Sequence, residues 1–297
     1  MNQLLNVKWV RIIFRLVLIL LCILSVALIT IFIFVLTHVN ENLVVTDYTV
    51  EAGLINPIRI VQLTDLHNAQ FGKNNRELIE LVNKQNPDII AMTGDMINKE
   101  DEDIHVICNL VKELSTVADV YYGMGNHEVS WIKTFGDRLK QELTEAGAII
   151  VDEECLNIEI NGNPVCLGGY MGYYRTPHML SASEEEQEKD VEFMDEFEAS
   201  ERYKILLNHI PTNWVDWGYL DNYDVDLVFC GHYHGGIIQF PIVKRGLYAP
   251  YIGWFPEHIK GEYTGTYGTC ILSTGLGSEY VIPRINNPPE IVVVDLY

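Results

Sequence analysis

From Leu16 to Thr37 the chain runs for 22 residues without a charged side chain. At about 1.5 Å of rise per residue, roughly 20 helical residues cross a hydrocarbon core of about 30 Å. The run therefore predicts a transmembrane helix within residues 1–42, together with a short N-terminal tip and a linker, and a folded domain over residues 43–297. A signal peptide is the competing reading, since Ser25-Val26-Ala27 has the form of a cleavage site. The apolar run continues past it through Phe32, Phe34 and Val35, which favours an uncleaved anchor. Lys8, Arg11 and Arg15 precede the span and no Lys or Arg follows it before Arg59, so the N-terminus is expected in the cytoplasm and the domain outside the cell membrane.

The chain carries 20 Lys and Arg against 41 Asp and Glu, a formal charge of −21. That balance argues against a nucleic-acid polymer as partner. It also argues against docking on anionic lipid through a basic patch, leaving the anchor as the sole expected membrane attachment. An anionic substrate would need a local positive centre. Beyond Cys22 in the apolar run there are five cysteines and no Cys-x-x-Cys; Cys155 and Cys166 flank a hairpin but are not opposite one another across its Asn161-Gly162 turn. Buried free thiols are the expectation.

Short β-rich runs alternate with helix-period segments in the first half. The strands are expected at 57–65, 88–95 and 119–128, and helices lie between and after them, with Leu78, Leu81 and Val82 spaced for one helix face. This order implies an α/β core with parallel strands. In the second half, AIIVDEE, LNIEING and NPVCLGGY read as neighbouring strands around the Asn-Gly turn. An acidic surface helix follows, and then four further strand-like runs. Strands outnumber helices here, so two packed mixed β-sheets flanked by helices fit better than one doubly wound sheet.

Polar residues collect where these runs end: Asp65 and His67 in TDLH, Asp95 in TGD, Asn126, His127 and Glu128 in GNHE, His209 in LNHIP, and His232 and His234 in GHYH. A lone histidine after a strand is ordinarily a cap or a core residue. Five of the chain's nine histidines in such places, with two aspartates and an asparagine, call for another reason. Imidazole, carboxylate and amide oxygen without thiolate suit divalent Mn, Fe or Zn. In DLH and HYH, two residues apart on extended backbone would aim both side chains the same way. A glycine before Asp95, Asn126 and His232 is expected to turn the chain sharply. So many ligands exceed one ion's needs and fit two ions sharing a carboxylate.

The ordered set DLH, GD, GNHE, H and GHYH resembles the signature of the calcineurin-like metallophosphoesterases. The tail, through STGLGSEYVIPRINNPPEIVVVDL, is similar to a bacterial phosphodiesterase branch with one N-terminal membrane span. The resemblance implies a sandwich fold and a binuclear metal centre. Asp65, His67 and His234 would hold one ion, Asn126, His209 and His232 the other, and Asp95 would bridge. A hydroxide between the ions would attack a phosphodiester or pyrophosphate. His127 would act at the leaving oxygen, oriented by Glu128 or another carboxylate, although Glu128 also reads as a helix-capping neighbour. The branch includes enzymes acting on lipid-linked substrates such as acylated nucleotide sugars. The alternative is a non-catalytic scaffold at the membrane, and a third reading keeps the metals but cleaves a carboxylic ester. Tyr233, where the branch often has a small polar residue, turns either away from the site or toward the substrate. Arg175 and His178 are minor candidates for a substrate phosphate. Trp214, Trp217 and Trp254 could line an apolar substrate groove near a membrane, but loop aromatics more often plug core edges, and they are assigned there.

Overall fold

A computed structural model of the chain describes residues 2–38, 42–172, 184–280 and 282–297. It divides into two compact units, 1–39 and 40–297. The first contains one helix, α1 (Asn2–His38). Its segment Trp9–Ile33 is long and apolar enough to cross a membrane, a property that anchors and signal sequences share.

The second unit opens with β1 (Val44–Val50), β2 (Ile58–Leu63), β3 (Ile89–Thr93), β4 (Asp119–Gly123) and β5 (Ala148–Val151). It continues with β6 (Glu154–Ile160), β7 (Asn163–Tyr170), β8 (Tyr203–Asn208) and β9 (Leu227–Cys230). Two small hairpins follow, β10 (Gln239–Phe240) with β11 (Arg245–Gly246), and β12 (Tyr248–Ala249) with β13 (Gly253–Trp254). The chain closes with β14 (Gly261–Thr264), β15 (Thr269–Leu272) and β16 (Glu290–Leu296).

Among the described residues the longer strands form two six-stranded sheets, in the orders β1-β16-β2-β3-β4-β5 and β14-β15-β9-β8-β7-β6. Both are mixed, as expected. The first is parallel except where β16 meets β2, and the second is parallel at its centre with antiparallel edges. Ile58, Ile60, Ile205, Leu207 and Phe229 belong to one buried cluster between the sheets. Val61, Leu63 and Met92 pack with residues of α2 (Arg76–Lys84), α3 (His105–Leu114), α4 (Asn126–Phe135) and α5 (Arg138–Glu145). The second sheet is covered by α6 (Glu184–Glu198), through Phe193, Met194 and Phe197, and by Trp214 of α7 (Thr212–Val215). Strands covered on both faces need apolar residues at nearly every position, which is why these runs read as continuous rather than alternating.

Two expectations are corrected and one strand is added. AIIVDEE does not join the hairpin that follows it: β5 pairs in parallel with β4, and the chain crosses to the other sheet between Val151 and Glu154. β1, with its half-exposed alternating pattern, is an edge strand that no sequence signal singled out. Cys155 and Cys166 form a disulfide, not two free thiols. They are diagonal in the β6–β7 register, with Cys155 opposite Gly168 and Cys166 opposite Asn157, and their Cα atoms lie 6.0 Å apart, within bridging range.

Truncating a side chain in the inter-sheet cluster leaves a cavity that both sheets must share. Ile205→Ala, at a fully buried site, is expected to lower the stability of the folded chain by about 2–5 kcal/mol. Urea denaturation checks this, and a loss below about 0.5 kcal/mol, the range of surface substitutions, would contradict the packing.

Candidate metal centre

The parallel strands of both sheets deliver their C-terminal ends to one region, the place where open α/β sheets present ligands. Asp65 and His67 follow β2, Asp95 follows β3, and Asn126 starts α4 just beyond β4. His209 follows β8, and His232 and His234 follow β9. Asp65, His67 and His234 bring ligand atoms within 4.8 Å of one another, and so do Asp95, His209 and His232. His67, Asp95 and His127 form a third such group, so Asp95 and His67 join the neighbouring sets.

The side chains do not converge by strand alternation. Asp65, His67, Asp95, His232 and His234 all lie in the left-handed region, with φ between 47° and 68°. Such conformations cost on the order of 1–3 kcal/mol each and persist only where surrounding contacts enforce them. The glycines also differ from expectation. Gly94 has φ +87° and turns the chain, but Gly125 is extended, at φ −105°. Its role, like that of Gly231, is close approach: a Cβ on Gly125 would strike the Asp95 carboxylate, and one on Gly231 the Asp65 carboxylate and Thr64.

Asp95 is central. Its Oδ1 accepts the backbone N–H of His127 at 2.8 Å. Its Oδ2 lies 3.0 Å from His209 Nε2 and 4.0 Å from the Nε2 atoms of both His67 and His127. The Asp65 carboxylate accepts the His232 N–H at 3.0 Å and lies 3.8 Å from His234 Nε2. Outer contacts fix the imidazole tautomers. His209 Nδ1 donates to the Thr93 carbonyl at 2.7 Å, which turns its Nε2 toward the centre and Asp95. Asn98 donates its amide to the His67 carbonyl and presents Oδ1 to His67 Nδ1 at 3.2 Å, so the His67 Nε2 lone pair faces inward.

Burial raises the Asp65 carboxyl to about 6 and lowers His67 to about 4. It also drives His232 and His234 well below the ordinary imidazole range. Burial alone would lower His209 as well, but the Asp95 carboxylate beside it raises it to about 9. Asp95, which burial would raise, is held well below the carboxylate range by the same neighbour. Among the candidate ligands, four buried atoms have no hydrogen-bond partner: Nε2 of His67 and His232, Nδ1 of His234 and Oδ1 of Asn126. Buried polar atoms are almost always satisfied, and unpaired imidazole and amide acceptors around two buried carboxylates are the complement of a cation. The donor set fits divalent Mn, Fe or Zn.

Glu128 does not orient His127. It is fully buried, and its carboxylate accepts the backbone N–H groups of Gly125, Asp95 and Met96 and the Tyr122 hydroxyl, all at 2.8–2.9 Å. It caps α4 and ties the turn after β3 to the turn after β4. The carboxylate at His127 belongs to Glu279, 3.2 Å from Nε2. On the other side of the ring, Nδ1 accepts the Lys99 backbone N–H at 3.1 Å, so the proton of the neutral ring sits on Nε2. Glu279 lies in STGLGSEY, where it is the one carboxylate, a signal that sequence reasoning passed over. Tyr233 turns away from the centre: it is fully buried, and its hydroxyl bonds to Thr212 at 2.7 Å and Asp216 at 2.9 Å. Trp214 is buried as expected, but Trp217 and Trp254 are 41% and 68% exposed. Arg175 and His178 lie outside the described residues.

The family model for the calcineurin-like phosphoesterase domain matches residues 58–236. The metallophosphoesterase YkoQ of Bacillus subtilis (strain 168) is 27% identical over 240 residues, covering 79% of this chain and 82% of that protein. A metallophosphoesterase of Aquifex aeolicus (strain VF5) is 27% identical over 263 residues, covering 85% and 91%. Among solved structures, a 5'-nucleotidase precursor from Thermus thermophilus aligns with a TM-score of 0.49 and 12% identity, over 74% of this chain and 49% of that one.

The two glutamates predict opposite phenotypes. Glu279→Gln should bind metal normally by elemental analysis yet lose about 10–100-fold in kcat, the range for a lost outer partner. Glu128→Gln should unfold at lower denaturant, because up to four donors lose a charged acceptor. Equal stability and equal rates in both variants would contradict the assignment.

Proposed function

Because the chain belongs to the calcineurin-like phosphoesterase family, and is thereby a metal-dependent phosphoesterase, we propose that it hydrolyses a phosphodiester or pyrophosphate at a centre of two divalent ions. One observation carries this reading: two groups of three buried ligands, Asp65–His67–His234 and Asp95–His209–His232, with Asp95 Oδ2 close to the imidazoles of both. Asn126, whose buried Oδ1 has no hydrogen-bond partner, would complete the second set. When bound, divalent ions would polarise the phosphoryl oxygens and bring the pKa of water from 15.7 toward about 7. They would also supply the positive centre that a chain of charge −21 lacks.

The chain's own contribution to bond cleavage is His127. The Lys99 amide behind the ring keeps its proton on Nε2, where Glu279 accepts it at 3.2 Å, and the oxygen that leaves phosphorus would take the place of the Glu279 carboxylate to receive that proton. His127 cannot donate from Nδ1 without losing the Lys99 bond, so one proton has one direction. For its cellular setting, we read α1 as an uncleaved anchor with the N-terminus in the cytoplasm and the domain outside. A substrate that combines a phosphoester with a lipid, such as an acylated nucleotide sugar, suits an enzyme held there.

The test uses full-length protein in detergent with an aryl phosphodiester. Hydrolysis should require added divalent metal, and Asp95→Asn and His127→Ala should each lower kcat by about 10²–10⁴. Equal rates in the three proteins would overturn the reading, as would elemental analysis giving fewer than about two ions per chain when metal is abundant. Turnover of an acylated nucleotide sugar should exceed that of its deacylated form, and no preference would remove the lipid-linked substrate.

A further inference from the structure

Outside α1, the exposed large apolar side chains among the described residues are not evenly spread. Ile242 (95% exposed), Val243 (60%), Tyr251, Ile252, Trp254 (68%) and Phe255 (52%) fall within one short stretch, and the others are scattered singly. Scattered apolar residues are ordinary on a soluble surface, but a contiguous group is not. The two β10–β13 hairpins present these residues. The Phe240 and Phe255 rings lie 6.1 Å apart and join the two hairpins into one apolar surface, while Trp254 meets Tyr248 at 5.5 Å within the second hairpin.

That surface is joined to the metal centre. Tyr248 lies 6.3 Å from Tyr280, which meets His234 edge-on at 5.7 Å, and Tyr251 stacks on His232 at 5.1 Å. The Leu247 N–H bonds to the carbonyls of Gly236 and Ile238, which holds the hairpins to the turn after GHYH. Aromatic side chains thus run from ligands of the candidate centre to the exposed hairpins.

The charge of this region departs from that of the chain. No Asp or Glu occurs from Leu227 to Pro256, whereas Lys244 and Arg245 sit beside Ile242 and Val243; Glu257, the next residue, pairs with Arg245 at 3.1 Å, so Lys244 carries the local positive charge. Apolar tips with Trp and Tyr, flanked by a lysine, are the composition of a surface that meets a lipid interface, with rings at headgroup depth and a cation at the phosphates. Only five residues, 39–43, separate α1 from β1, a backbone reach of at most about 18 Å. A membrane crossed by α1 is therefore within reach of the domain.

We propose that the β10–β13 hairpins are a bilayer-docking lip: Ile242, Val243, Trp254 and Phe255 enter the lipid interface while Lys244 meets its phosphates. The candidate centre then works against the membrane surface. The lip revises the expectation, drawn from net charge, that α1 alone makes the attachment. It rests on the reading of α1 as an anchor and would explain how a lipid-linked phosphoester reaches the metal ligands without leaving the bilayer.

Full-length protein in phosphatidylglycerol-containing nanodiscs tests the proposal. Tryptophan quenching by lipids brominated at defined acyl depths is compared between wild type and Trp254→Phe, which keeps an apolar ring, so that the difference reports Trp254 alone. The expected result is quenching by shallow bromines, at about 5–10 Å into the headgroup–acyl boundary. Ile242→Asp with Val243→Asp, at exposed tips that the fold does not need, should abolish that quenching. Two results overturn the proposal: Trp254 open to aqueous iodide and untouched by bromolipid, or Trp254 shielded from both in a concentration-dependent way, which marks a second copy or another protein as the occupant. Depth is read without turnover, so an inactive protein with a quenched Trp254 would sink the hydrolase reading and leave the lip intact. An active protein with a water-exposed Trp254 would do the reverse.

Discussion

The site is organised around one buried carboxylate. Asp95 accepts a backbone N–H of the α4 turn, faces His209 at 3.0 Å and stands between the imidazoles of His67 and His127. A carboxylate removed from water is costly unless its partners are fixed, and each partner here comes from a different strand end. The two sheets must therefore close on one another before the charge is compensated, which makes the inter-sheet core the support of the chemistry.

The backbone around Asp95 shows how that position is enforced. Five ligand candidates hold left-handed conformations that Asp and His tolerate better than most residues. The Asp65 N–H bonds to the Gly94 carbonyl, the His67 N–H to the Asp95 carbonyl and the Gly277 N–H to the Asp65 carbonyl, so the turns after β2 and β3 brace each other and the loop after β15. Glu128 adds a charged clamp between the turns after β3 and β4. Arg284 does comparable work from the other side: its buried guanidinium donates to the carbonyls of Thr274, Gly277 and Asn287, shaping the loop that carries Glu279 to His127.

Net charge and local charge lead to different conclusions about surroundings. A total of −21 describes interactions at a distance, which salt screens over about 8–10 Å. Contact depends on what lies within that distance, and on the β10–β13 hairpins the charges are Lys244 and Arg245, with Glu257 just beyond them pairing Arg245. The same distinction applies at the centre, where a negative chain gathers the imidazoles of His67, His232 and His234, kept neutral by burial, whose unpaired nitrogens invite cations.

Much of this was legible in the sequence by itself. Uninterrupted apolar runs specified strands covered on both faces, their helical intervals specified a layered α/β fold, and polar clusters at the run ends marked Asp65, His67, Asp95, Asn126, His127, His209, His232 and His234. These signals are local, arising from burial and from turn chemistry within a few residues. What the sequence could not decide was which distant segments meet. Glu279 reaches His127 across about half the chain, Glu128 turns from its neighbour to cap a helix, β5 leaves its neighbours for the other sheet, and Cys155 meets Cys166 on a diagonal that twist brings within reach. Tyr233 sits between two candidate ligands yet points into the core. Each of these outcomes depends on sheet pairing and left-handed turns that place side chains in three dimensions, and one-dimensional spacing carries no term for either.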